Sequence, residues 1–437
     1  MPTPRSIGYV DLLRRNRRFR LLFAARGVSL LGDWFNVLAV FALIDRIRGA
    51  HAEAFGWILI LKLLPLLVMG PTAGVVADRY DRRAIMIGAD LARAAVVLGF
   101  LALTLWPRLD LLYGLTVLQI SLSAFFEPAR TAAMSQICDA DELLPANALS
   151  AVTWSIMLTL GAALGGLANH AFGWQVAICI DAASYLVSAL LVLPVHVPAP
   201  RQRRGRLWHT LGLGDALDGF HYMRRNKDVA TMVWAKGAWG VGGAITLMLA
   251  VFGQRVYPVH ASAVLGIAVF YTARGLGTGL GPIVSRWLSS EDWKGMSLAM
   301  QISFVVAAGF YVAFGSVRSL PLAALFVVLA HFGGSAIWVF STVALQRAVP
   351  NSLQGRVFAA ELALFTLTFS ISTYIYGRLL DQAHLDPFLL MRSLGWVFLA
   401  GGLAWALAAR LWPLRHATQE PPVLLATPLE EAADGGD

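Results

Sequence analysis

Charged and polar side chains sit inside long apolar stretches of this chain, and their spacing defines the chemistry open to them. Arg26, Ser29, Asp33 and Asn36 follow one another at intervals of three and four residues, so on a helix they form one narrow polar stripe. Gln119, Ser123, Glu127 and Arg130 repeat the pattern, Lys236 stands above Gly240 and Gly243, and His331, Ser335, Trp338 and Thr342 line up likewise. A charge at the centre of a bilayer costs at least about 2.5 kcal/mol on insertion scales, so each one needs a partner or a water-filled cavity. The four stripes imply a shared polar interior. Buried helix-to-helix contacts are the alternative source of such a pattern.

Asp33, near the middle of its segment, is the carboxylate best placed to load and release a proton; a structural salt bridge to Arg26 or to another helix is the competing role. Glu127 and Arg130 flank Pro128 at a shallower depth and suit a local pair or an inner gate, with a kink at the proline. Lys236, Arg274 and His331 could form a cationic patch that holds an anionic substrate group or balances Asp33, with a neutral core histidine as the alternative for His331. Asp181 reads as structural, Lys62 as a side chain near the outer surface able to snorkel, and Glu361 as a dipole-stabilising carboxylate at the start of its helix. Trp338, with Trp34, Phe126, Trp239 and Tyr271, could stack on an amphipathic ligand, although aromatic residues also collect at membrane interfaces and in packing. No nucleophile–base pair and no metal-ligand spacing occurs, and Cys138 and Cys179 read as packing residues. Neither enzymatic activity nor a cofactor or metal is expected.

These side chains must be positioned by membrane helices, because 57% of the 437 residues are hydrophobic and only 14% are charged. Apolar segments long enough to cross a bilayer fall at 20–46, 54–78, 84–105, 111–133, 146–170 and 174–195, and again at 229–255, 261–288, 294–317, 320–346, 356–381 and 388–413. The expected fold is an all-α integral membrane protein of twelve transmembrane helices in two pseudo-symmetric bundles of six, residues 20–195 and 229–413. Gly70-Pro71 recurs as Gly281-Pro282, which supports an internal repeat.

Residues 1–19 form a cytoplasmic segment, 196–228 a linker with an amphipathic helix on the inner leaflet, and 414–437 a disordered cytoplasmic tail. The amino terminus lacks a cleavable signal, so the first helix is expected to be retained. The net charge of +9 is dispersed at the ends of apolar segments, which argues for topology signals and against nucleic-acid binding. Basic clusters before the first helix, after the second and between the halves place both termini in the cytoplasm.

One turn carries a more specific signal. Gly74, Asp78, Arg79, Asp81, Arg82 and Arg83 lie between the second and third segments, with small residues at Gly70, Ala73, Gly74 and Ala77 that would admit a neighbouring helix. In spacing this stretch resembles the loop after the second helix of the major facilitator superfamily, with Asp81 where the family usually has glycine. Gly161, Gly165 and Gly166 form a smooth face that resembles the glycine-rich fifth-helix motif of drug:proton antiporters, with Gly161-Ala162 in place of its glycine-proline step. The chain as a whole is similar to the macrolide-efflux and siderophore-exporter branch. That resemblance implies a monomeric, proton-coupled exporter of small amphipathic molecules in a bacterial inner membrane, working by alternating access, with the Asp78 loop as a cytoplasmic gate. A lipid or lysolipid flippase of the same fold and a non-transporting receptor are the rival functions.

Overall fold

The structure, a computed structural model, describes residues 8–49, 51–139, 141–198, 213–288 and 293–413. Arg201, Arg203, Arg204, Arg206, Trp208, Leu211 and the tail 414–437 lie outside the described residues.

After a short helix α1 (Tyr9–Arg15), the first span is α2 (Arg17–Arg48), whose first turn is capped by the Asn16 side chain accepting from the Phe19 amide at 2.9 Å. The second span is in two pieces, α3 (Ala52–Leu61) and α4 (Leu64–Arg79), parted at Lys62 and Leu63 and restarted with Pro65 in the first turn of α4. The third is α5 (Arg82–Gly99), continued by a 3-10 segment at Phe100–Thr104, and the fourth is α6 (Leu109–Ile137), which passes through Pro128 unbroken. Helix α7 (Leu143–Val192) contains the fifth and sixth spans, folded back on each other at Gly173, whose φ of 82° only glycine adopts readily.

The second half begins with α8 (Leu213–Arg225) and a broken seventh span, α9 (Lys227–Gly240) and α10 (Gly243–Val251) ending in a π segment at Phe252–Val256. Helices α11 (Ala263–Leu288), α12 (Trp293–Phe314), α13 (Leu320–Ala348), α14 (Asn351–Asp381) and α15 (Pro387–Leu411) complete it. Among the described residues, eleven helical stretches are long and apolar enough to cross a membrane, and Gly173 divides one of them, which gives the twelve expected crossings. No β-strand occurs among the described residues.

An even number of spans brings α1 and the end of α15 to one end of the molecule, the termini end. The joints 49–51, 105–108, 257–262, 315–319 and 382–386 and Gly173 lie at the other, the far end. The apolar core follows this division. One cluster runs continuously from Phe35, Phe41 and Phe55 of the first half into Leu247, Phe252 and Phe270 of the second. A separate cluster around Phe19, Met86, Phe126 and Met134 belongs to the first half alone, at its termini end. Among the described residues, the apolar cluster shared by the two halves includes the far end, while the first-half cluster at the termini end stays within that half.

Helix α8, in the expected linker, docks on α14: a Cβ at Gly219 would lie 2.4 Å from the Arg356 carbonyl oxygen, and Met223 is buried. One expectation changes here. Gly70 and Gly74 touch nothing within 4 Å of an added Cβ, so the expected close helix approach on that face is absent and Ala73 and Ala77 do the packing.

Candidate functional site

The polar stripes of α2 and α6 face each other, and the sixth span closes their third side. Arg26 lies between two carboxylates: its Nε forms an ion pair with Glu127, and its Nη1 stands 3.8 Å from Asp33 Oδ2. Arg130 Nε approaches the other oxygen of Glu127 at 3.0 Å. The Tyr185 hydroxyl donates to Asp33 Oδ1 at 2.5 Å and accepts from Gln119 Nε2 at 3.1 Å. The Asp33 and Glu127 side chains are 31% and 40% exposed, so the cluster borders open space while its tyrosine side is sealed.

Behind it lies a pair that the sequence reading passed over. Arg93 and Asp90 of α5 are ion-paired and fully buried, with the guanidinium 4.2 Å from the Tyr185 ring centroid and 4.8 Å from that of Phe126. Opposite charges three residues apart inside an apolar segment were the available signal. Asn36 and Asp181 are also fully buried, with the Asn36 side chain against the Asp181 carboxylate. Gly32 allows α2 to lie directly on that turn, since a Cβ there would come within 2.8 Å of Asp181 Oδ1. Lys62, expected to snorkel outward, sits at the break of the second span within electrostatic reach of Asp33 and Asp181.

In the second half the expected cationic patch divides. Lys236 Nζ is 2.8 Å from Glu361 Oε2 and 2.8 Å from Thr342 Oγ1, with the Trp338 ring centroid 4.5 Å away, and both charged side chains are only 5% exposed. Glu361 therefore has no capping role: α14 starts at Asn351, which leaves Glu361 well inside the helix and facing Lys236. His331 is buried and packed: its Nδ1 bonds the Val327 carbonyl oxygen at 3.1 Å, and its ring stands edge-on to Trp239 and Tyr311. Arg274 is half-buried beside Tyr271 and within electrostatic reach of His331, apart from Lys236.

The loop after the second span is built from its own charges. Asp81 caps α5 by accepting from the Arg83 amide at 2.9 Å, buried Arg82 donates to the Ala77 carbonyl oxygen at the end of α4 at 3.1 Å, and Arg83 donates to the Leu193 carbonyl oxygen. Asp78 is exposed at the termini end with no ion pair among the described residues, and Gly74 faces open space.

The fifth-span glycines are filled spaces. A Cβ at Gly161 would lie 2.6 Å from Trp34 Cβ, one at Gly165 3.1 Å from Phe35 Cα, and one at Gly166 2.3 Å from Ala268 Cβ of the other half. Small residues thus bring the first, fifth and eighth spans into direct contact.

Comparison with known proteins agrees with this architecture. The sequence model described as Major Facilitator Superfamily matches residues 22–361. A protein of Bacillus subtilis named putative bacilysin exporter BacE is 25% identical, over 87% of this chain and 92% of that protein. The enterobactin exporter EntS of Escherichia coli O9:H4 (strain HS) is 25% identical, over 96% of this chain and 97% of that one. Among solved structures, a POT family transporter in complex with 5-aminolevulinic acid superposes with a TM-score of 0.72 at 12% identity, covering 91% of this chain and 97% of that chain.

Proposed function

The chain belongs to the major facilitator superfamily and is a membrane transporter, not an enzyme, and we propose that it exports small amphipathic compounds, such as drugs, siderophores or related metabolites, in exchange for protons. Alternating access across a bacterial inner membrane, with both termini cytoplasmic and the protein monomeric, completes the reading. Relatives named as exporters support the direction.

The observation that carries proton coupling is the placement of Asp33. It is a partly open carboxylate held between the Arg26 guanidinium and the Tyr185 hydroxyl, where the first, fourth and sixth spans meet. A group with one cationic and one neutral partner can give up or take a proton with little rearrangement, and Glu127 stands ready to keep Arg26 paired when Asp33 is neutral. Access follows from the uneven joining of the halves. Apolar burial and polar bonds hold the far end together, and exposed Asp78 with the empty faces of Gly70 and Gly74 supports a termini end free to open and close. In the opposite state, the Asp78–Arg83 turn and that small-residue face would meet the second half. Trp338 and Lys236 supply an aromatic and a cationic contact for a ligand, and Gly161, Gly165 and Gly166 a surface along which spans slide.

The test is substrate-induced proton movement in proteoliposomes, screening amphipathic drugs and siderophores against wild type and Asp33→Asn. Proton flux that appears with a ligand and disappears in the variant, with binding retained, supports antiport. Equal flux in both removes Asp33 from the coupling role, and ligand transport with no proton flux in wild type replaces antiport by facilitated or lipid-type movement.

A further inference from the structure

Asp381 occupies an awkward place in its own helix. It is the last residue of α14, where the aligned peptide dipoles present their negative end, so its carboxylate is unfavourable there unless something else holds it. Two groups do. Arg255, from the π segment of the seventh span, approaches Asp381 Oδ1 at 2.7 Å. The backbone amide of Glu53, in the first turn of α3, donates to Oδ2 at 2.8 Å across a sequence separation of 328 residues.

Helix α3 needs that acceptor. Its N-cap position is His51, whose side chain makes no capping bond, so an orphan amide of the first turn is satisfied by the other half of the molecule. Beside this contact, Gln254 Nε2 donates to Asp45 Oδ1 at 2.7 Å, and Gly377 and Gly56 allow α3 and α14 to touch, with an added Cβ 3.3 Å from Glu53 Cα and from Thr373 Cγ2 respectively.

We propose that Asp381 is the far-end clasp of the transport cycle, a carboxylate from the second half that caps the second span of the first half in the closed state. The inference rests on the alternating-access reading. His51 Nδ1 lies 3.8 Å from Asp381 Oδ2 on the open side of the contact, with its side chain 61% exposed. Opening the far end uncaps α3 and leaves Asp381 with Arg255 alone.

Labelling of a buried reporter tests this. Thr373, at zero exposure on α14 and facing Gly56, is replaced by cysteine in a Cys138→Ser, Cys179→Ser background. Its reaction with a membrane-impermeant maleimide is followed in proteoliposomes without substrate, normalised to the unfolded protein. Asp381→Ala is expected to raise labelling about tenfold, the scale set by losing a charge-assisted hydrogen bond, while melting close to the parent. Unchanged labelling in a folded Asp381→Ala protein overturns the clasp. Should Asp381→Ala fail to fold, Asp381→Asn keeps the side-chain shape and removes the charge, and the same two outcomes apply. Because no substrate is present, a protein that labels as expected yet moves no protons leaves the clasp standing and removes the coupling reading alone.

Discussion

Lys236 and Glu361 illustrate how a buried pair separates structural from functional roles. Removing one partner strands a charge, and Lys236→Ala or Glu361→Ala should each cost about 3–5 kcal/mol, seen as an earlier thermal unfolding transition in detergent. The double variant Lys236→Met, Glu361→Leu should melt near the wild type, because two apolar side chains of similar volume need no solvation. Whether that double variant still transports then reports on ligand binding with stability held constant. Cys138 gives a second residue-level outcome. Burial, then the acidic Glu142 and Asp139, push its thiol up to about 11. Maleimide modification of Cys138 in the native protein should therefore be slow at pH 7 and keep accelerating as the pH rises towards 11, while an ordinary exposed thiol levels off earlier. The stripes through Asp33 and Glu127 were legible in the sequence because helical spacing alone puts them on one face. Glu361 was misread because the helix start was placed a turn and a half late, and the Asp90–Arg93 pair was missed although both residues stand in a predicted span.

At the scale of elements, twelve apolar segments were readable from length and hydropathy, and the breaks within them were not. The second span stops at Lys62 and Leu63, just ahead of Pro65, and the seventh at Val241 and Gly242, within a glycine-rich stretch, signals that hydropathy alone passes over. Pro128, like Pro71 in α4, leaves its helix continuous, with Phe126 and Ala129 packed on either side of it. Glycine content was visible, but which glycines touch a neighbour depends on three-dimensional approach. Gly166→Ala places a methyl 2.3 Å from Ala268 Cβ and should cost about 1–3 kcal/mol by overpacking, again as a lowered melting temperature. Gly74→Ala meets nothing within 4 Å and should melt no lower than wild type. If its face closes against the second half during transport, the same variant should slow ligand flux, so the two glycines part stability from turnover.

Across the whole molecule, the sequence pointed to two halves and to a polar interior, while the uneven joining of the halves came only from the structure. It arises from contacts between residues more than two hundred positions apart, such as Gln254 with Asp45 and Asp381 with Glu53, which no local pattern announces. The far end has a further consequence. Its joints run no longer than the six residues of 257–262, and the fifth and sixth spans turn on Gly173 alone. In the proposed orientation, with the termini inside the cell, no joint at the far end offers an antibody or an external protease more than six residues of loop.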